Sequence, residues 1–205
     1  AALYSSRKKV AWIDTVLSFL SYMFYSMPSF WFGLILILVF AVNLNIFPTS
    51  GMVSLRQVHT GIMYYLDLLW HSFLPVMCLS LINFPVYYRI TYSSVSSVLH
   101  ENFVTLFHAT GMDERKIFGK YVSRNAILPT VTMFGLQIGY AITGATLVET
   151  VFAWPGMGRL LINAVFRRDY PLLMGIYLVM SVSVAIAMIV VDVLYAVLDP
   201  RVQYT

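Results

Sequence analysis

The chain has 205 residues and a net charge of +4; 60% of its residues are apolar, only 11% are charged, and its mean hydropathy is +0.78. A soluble domain carries about a quarter charged residues, so there is too little charge here to clothe a water-facing surface, and the membrane class is favoured. The basic residues fall in short groups between apolar runs, which suits orientation in a bilayer better than nucleic-acid binding, and a single cysteine, Cys78, excludes a disulfide framework or a cysteine metal cluster.

The opening Ala-Ala-Leu-Tyr-Ser-Ser-Arg-Lys-Lys has neither an initiator methionine nor a signal peptide. It reads as the cytoplasmic end of an earlier helix in a longer protein. Four stretches then have the roughly 20 apolar residues a spanning helix needs: about 15–43, 66–88, 127–148 and 172–198. The first is interrupted by Pro28, and the second contains Asp67, His71, Pro75 and Pro85. Proline removes a backbone donor and kinks or breaks a helix, so Pro28, Pro75 and Pro85 are expected kink sites. In the third, Gly135 and Gly139 at i, i+4 allow a close helix approach. Tyrosines and tryptophans near the span ends, such as Trp12, Trp70, Tyr87, Tyr88 and Trp154, suit an interfacial belt.

Orientation follows from lysines and arginines in the short loops. Arg7, Lys8, Lys9, Arg89, Arg115, Lys116, Lys120, Arg124 and Arg201 fall on one side; Arg56, Arg159, Arg167 and Arg168 fall on the other. The richer side is assigned to the cytoplasm, with both ends of the chain facing it. Residues 89–125 are then a cytoplasmic connection too patterned for a simple loop. Val95, Val98, Leu99, Phe103, Leu106 and Phe107 recur at helical spacing. Gly111 can end one helix, and Asp113 and Glu114 suit the first turn of the next. A helix–turn–helix exposed at that surface is a docking element.

Catalytic chemistry is hard to find. Gly111 to Lys120 has the wrong spacing for a phosphate loop, with Tyr121 where a hydroxyl residue is needed and no strand before it. His59, His71, His100 and His108 show no metal-ligand spacing, and no metal site is assigned. Glu149 and Asp192 sit at or near the ends of apolar spans, where a charge is costly. Each is read either as a substrate or proton contact or as an interfacial or helix-paired carboxylate. No Ser/His/Asp set or paired-carboxylate set stands out, so the chain is read as a non-enzyme.

Three stretches resemble the permease subunits of bacterial ATP-binding-cassette importers of the peptide/nickel branch, in particular the oligopeptide and dipeptide permease B type. They are Pro28-Ser29-Phe30-Trp31-Phe32-Gly33; Gly111 through Arg124-Asn125-Ala126-Ile127-Leu128-Pro129; and Val148-Glu149-Thr150-Val151-Phe152-Ala153-Trp154-Pro155-Gly156-Met157-Gly158-Arg159, continuing to Arg168-Asp169-Tyr170-Pro171. The closing Asp199-Pro200-Arg201-Val202 is also similar. The resemblance implies an all-α, polytopic permease bundle of the type I importer kind in a bacterial inner membrane. It implies six spans, so two would precede this chain, which reads as one transmembrane domain over 1–205. It also implies a second permease, two cytoplasmic ATPases and an extracytoplasmic substrate-binding protein as partners. This chain would bind no cofactor, with ATP and magnesium held by the ATPases. Asn102, Phe103, Leu106, Phe107, Ala109, Gly111, Met112, Asp113 and Glu114 would form the ATPase-coupling segment. The family's usual basic positions there fall on Thr105 and His108. Glu149, Trp154, Pro155, Gly156 and Arg159 would line the path or face the receptor. Cargo would be short peptides, alternatively nickel or a metal–chelator complex. From the residues alone, a passive channel or membrane scaffold using the inner loop only to bind a partner is the competing class.

Overall fold

A computed structural model describes residues 11–55 and 60–198, and among these the chain is all-α. Arg7, Lys8, Lys9, Arg56, His59 and residues 199–202 lie outside the described residues, as do the side chains of Gly139 and Asp192. The helices are α1 (Ala11–Ser26), α2 (Ser29–Leu36), α3 (Ile62–Leu99), α4 (Asn102–Ala109), α5 (Glu114–Lys116), α6 (Ser123–Ala126), α7 (Leu128–Thr143), α8 (Thr146–Val151), α9 (Met157–Arg167) and α10 (Tyr170–Leu198). Wider π turns extend α2 over Ile37–Asn43 and join α5 to α6 over Ile117–Val122.

Two of these helices, α3 and α10, are long and apolar enough to cross a membrane. Residues 15–43 count as a third span only if the pieces on either side of Pro28 are taken together. That break is local: Pro28 is extended at φ −61°, ψ 135°, and its carbonyl accepts the Phe32 N–H at 3.0 Å to start α2. The expected span at 127–148 differs. Helix α7 has 16 residues, about 24 Å of rise against a hydrocarbon core of about 30 Å. It stops at Gly144, which sits at φ +88° with its N–H on the Ala141 carbonyl at 3.2 Å. Helix α3 departs in the other direction. It continues through buried Pro75 and Pro85 without interruption, and its 38 residues carry it past the expected span end to Leu99. Val95, Val98 and Leu99 therefore belong to the end of a long helix and not to a separate surface helix.

The chain forms two compact units. The first contains residues 1–25, 83–138 and 187–205. Its core is Val95, Val104, Ile117, Val122 and Ala126, each at most 2% exposed, flanked by Val98, Leu99, Phe103, Phe107, Met112 and Phe118. Within it α3 and α7 run antiparallel, joined by a ladder at four-residue spacing. Asn83 accepts from Gln137 at 3.4 Å, the Tyr87 and Phe134 rings meet at 6.3 Å, and the Thr91 and Thr130 hydroxyls share a bond of 2.7 Å. Polar pairs of this kind join helices where lipid gives no hydrophobic drive. A Cβ on Gly135 would overlap Val191 of α10, so the close approach expected there is present at that glycine.

The second unit contains residues 26–82 and 139–186. Phe152, 2% exposed, lies against Gly33 of α2, and its carbonyl accepts the Gly51 N–H at 2.9 Å. The loop before α3 is fastened to it at Asp67, whose two oxygens accept the Ser54 hydroxyl (2.8 Å) and N–H (2.7 Å). His71, one turn on, lies 3.2 Å from the same carboxylate. The Phe47 ring stacks on Phe73 at 4.4 Å and meets Trp70 at 4.7 Å.

Candidate functional site

The expected coupling residues come together in the first unit as a short helix with two unlike faces. On α4, Phe103, Val104 and Phe107 turn into the core. Asn102, Thr105, Leu106 and Ala109 are exposed at i, i+3, i+4 and i+7, which makes one continuous stripe. Leu106 is 61% exposed in its centre. The segment read as a single coupling set is thus divided: Phe103, Phe107 and half-buried Met112 hold the base, and Asn102, Leu106, Ala109, Asp113 and Glu114 are presented outward.

The turn after α4 has a definite chemistry. Gly111 adopts φ +73°, its N–H bonds the His108 carbonyl at 3.0 Å, and the Met112 N–H bonds the Phe107 carbonyl at 3.1 Å. These two bonds are the Schellman pattern, completed by the apolar cluster that Met112 and Phe107 share. A side chain at Gly111 would meet nothing within 4 Å, so the requirement is on the backbone alone. Asp113 then starts α5, its carbonyl accepting from Lys116 at 2.9 Å and Ile117 at 3.0 Å. Four residues separate α4 from α5, and Val104 shares one core cluster with Ile117 and Val122.

The second expected group lies in the other unit, where Glu149 is the organising residue. Its Oε1 accepts the Ala145 N–H at 3.0 Å at the start of α8, and its Oε2 accepts the Arg159 N–H at 2.8 Å in the first turn of α9. Gly156, the N-cap of α9, has no side chain to give, so a carboxylate seven residues earlier satisfies that orphan donor. The positive end of the α9 dipole favours an anion at this place. Gly144 and Gly156 leave the room it occupies: a Cβ on Gly144 would stand 2.5 Å from Oε1, and one on Gly156 2.5 Å from Oε2; Gly158 instead lets α9 approach α8, since a Cβ there would stand 2.5 Å from the Thr146 Cα. Of the two readings of Glu149, the contacts seen are those of a carboxylate paired with another helix.

Arg159 works from the other side. Its Nη1 donates to the Ala153 carbonyl at 2.6 Å, past the end of α8. Ala153 stands at φ +50°, with its N–H on Thr150 at 3.2 Å and the Trp154 N–H on the Glu149 carbonyl at 2.8 Å. This is a second Schellman turn, built on alanine. Pro155 is exposed inside a tight turn closed by the Gly156 N–H on the Trp154 carbonyl at 3.0 Å, and Trp154 is half-buried. Further on, Asp169 caps α10, its Oδ1 accepting the Leu172 N–H at 3.1 Å. Ala145, Gly144, Gly158 and Ala153 were not among the expected site residues. The glycines themselves were the legible signal for Gly144 and Gly158; Ala145 and Ala153 act through backbone groups and left none.

The whole chain is similar to known transport proteins. The family model for "binding-protein-dependent transport system inner membrane component" matches residues 1–204. The oligopeptide transport system permease protein AppB of Bacillus subtilis is 36% identical over 200 residues, 98% of this chain and 62% of AppB. The di/tripeptide transport system permease protein DppB of Pseudomonas aeruginosa is 39% identical over 194 residues, covering 88% of this chain and 58% of its own length. The dipeptide transport system permease protein DppB of Escherichia coli K12 is 38% identical over 197 residues, with the same coverage of 88% and 58%. The chain therefore spans about three fifths of the length of these curated relatives. With a helical membrane architecture and a match along nearly its full length, the chain belongs to the family of binding-protein-dependent transport system inner membrane components.

Proposed function

We propose that this chain is part of a membrane-spanning permease subunit of an ATP-driven importer of short peptides, with the α4 hairpin as the contact for a nucleotide-hydrolysing partner. Peptide cargo is favoured because the relatives above are named for oligopeptide, di/tripeptide and dipeptide transport. A second permease, two ATPases with their ATP and magnesium, and an extracytoplasmic binding protein complete the machine. The hairpin lies on the cytoplasmic side, and both ends of this chain face that side.

The observation that carries the reading is the exposed stripe Asn102–Thr105–Leu106–Ala109 on a helix whose opposite face is locked into the core. A helix that merely covered the core would put only polar groups outward; this one sets a leucine among Asn102 and Thr105 at the centre of its free face, with Ala109 at its end, as a groove-binding helix does. Because the stripe stands on packed residues, a push on α4 is passed to α3 and to 117–126 through side-chain contact. The turn at Gly111 fixes the angle of that lever.

The test is ATP-dependent uptake of a labelled tripeptide by vesicles carrying the intact transporter. Gly111→Val places a β-branched residue in a left-handed backbone, a strain of about 1–2 kcal/mol or more on the turn. Uptake is expected to fall at least about tenfold, the factor that 1.4 kcal/mol represents in an equilibrium. Wild-type uptake in that variant would contradict the coupling role.

A further inference from the structure

The first unit holds an open groove of about 630 Å³ that the coupling argument does not use. It is lined by Tyr25 of α1, Pro129 of α7 and one face of α3: Val86, Arg89, Ile90, Ser93, Ser94 and Ser97. Its volume is within the roughly 300–1,000 Å³ of small-ligand sites. Arg89, Ser93 and Ser97 follow one another at i, i+4 and i+8, so a guanidinium and two hydroxyls stand in one row. Val86, Ile90 and Pro129 give the groove apolar walls.

Arg89 is the only charged residue in the lining, is exposed, and pairs with no carboxylate among the described residues. Arg89 stands just past the expected end of the span and is exposed, so an anion arriving from the aqueous side can reach it. Its planar fork matches a carboxylate with two parallel hydrogen bonds. A short peptide always offers one carboxylate, whatever its side chains, together with backbone groups for hydroxyls to bond. A groove with one fixed cation, adaptable hydroxyls and apolar walls recognises that common end and tolerates variety elsewhere.

We propose that this groove is a cargo-binding station of the permease, with Arg89 holding the C-terminal carboxylate of the peptide and Ser93 and Ser97 bonding its backbone. The inference rests on the peptide-import reading. Arg89 is a binding residue here and takes no part in bond making.

The test is thiol accessibility in the intact, nucleotide-free transporter in inside-out vesicles, using Ser93→Cys in a Cys78→Ser background and a membrane-impermeant methanethiosulfonate. A tripeptide at about ten times its dissociation constant is expected to slow labelling about tenfold, since roughly one groove in ten is then empty. The same peptide with an amidated C-terminus, or the free acid added to the Arg89→Gln variant, is expected to need at least about tenfold more ligand, the worth of a charge-assisted pair. Equal protection by acid and amide would overturn the assignment of Arg89. An introduced thiol that no reagent reaches, or one whose labelling the peptide leaves unchanged while the same vesicles take that peptide up, would overturn the station and leave peptide import standing. Labelling slowed by anionic phosphatidylglycerol vesicles without peptide, and released by Arg89→Gln, would assign the groove to a lipid headgroup and overturn it too. A transporter that takes up no peptide at all would remove the parent reading as well.

Discussion

Glu149 shows how one side chain can replace several. It satisfies donors at the starts of two helices from a space that two glycines, Gly144 and Gly156, keep clear. Glu149→Gln keeps the shape but turns an amide NH2 towards one of two backbone N–H groups, leaving a donor without an acceptor. The expected cost is about 1–3 kcal/mol, read as a lowered midpoint of thermal unfolding of the detergent-solubilised protein. An unchanged midpoint would mean that the carboxylate carries no load in the turn. Ala153 offers the opposite experiment. It holds a left-handed conformation that costs an alanine about 1 kcal/mol, and Ala153→Gly is expected to raise the same midpoint. The sequence pointed at Glu149 because a charge beside an apolar run is expensive. It held no sign that the partners would be backbone groups, because N–H donors leave no mark on composition.

At the scale of elements, the connection over residues 89–125 was legible in part. Helical spacing of Val95 through Phe107 marked the apolar face, and Gly111 marked the turn. What spacing did not reveal was that α3 runs unbroken to Leu99: the apolar run ends before Arg89 and the hydroxyl residues after it, yet the backbone stays helical through them. The 127–148 stretch failed the other way. Its apolar run continues past Gly144, but that residue's left-handed backbone ends the helix, and the following segment folds around Glu149. Within α4 the two faces make separable predictions. Val104, 2% exposed, packs with Ile117 and Val122, and Val104→Asp buries an unpaired charge. Limited proteolysis is expected to cut that variant within residues 89–125 much faster than the wild type. Leu106→Asp, on the free face, is expected to leave the digestion pattern as it was. Faster cutting of both would mean that the stripe is structural.

At the scale of the molecule, composition settled the class before any element was placed: so little charge on so many apolar residues leaves lipid as the solvent. The structure agrees in how much it leaves uncovered. Met174, Tyr177, Leu178, Val182, Ile186 and Ile189 of α10 are all exposed large apolar residues, as contact with lipid requires. Division into two units was not legible, because the boundaries at 25/26, 82/83, 138/139 and 186/187 fall inside or at the ends of helices. Linker signals in a sequence mark loops, and here no loop marks the change. The family was legible because the stretch from Val148 to Arg159 is long and several of its residues, Glu149, Gly156, Gly158 and Arg159, have backbone duties.

The central claim is that the free face of α4 takes a nucleotide-hydrolysing partner while its buried face passes the force on. Co-purification of that ATPase with the tagged transporter, wild type against Leu106→Asp, tests it most directly. The ATPase is expected to come down in stoichiometric amount with the wild type and to be lost from the variant, with its protease resistance intact. Equal recovery of ATPase with both proteins would contradict it.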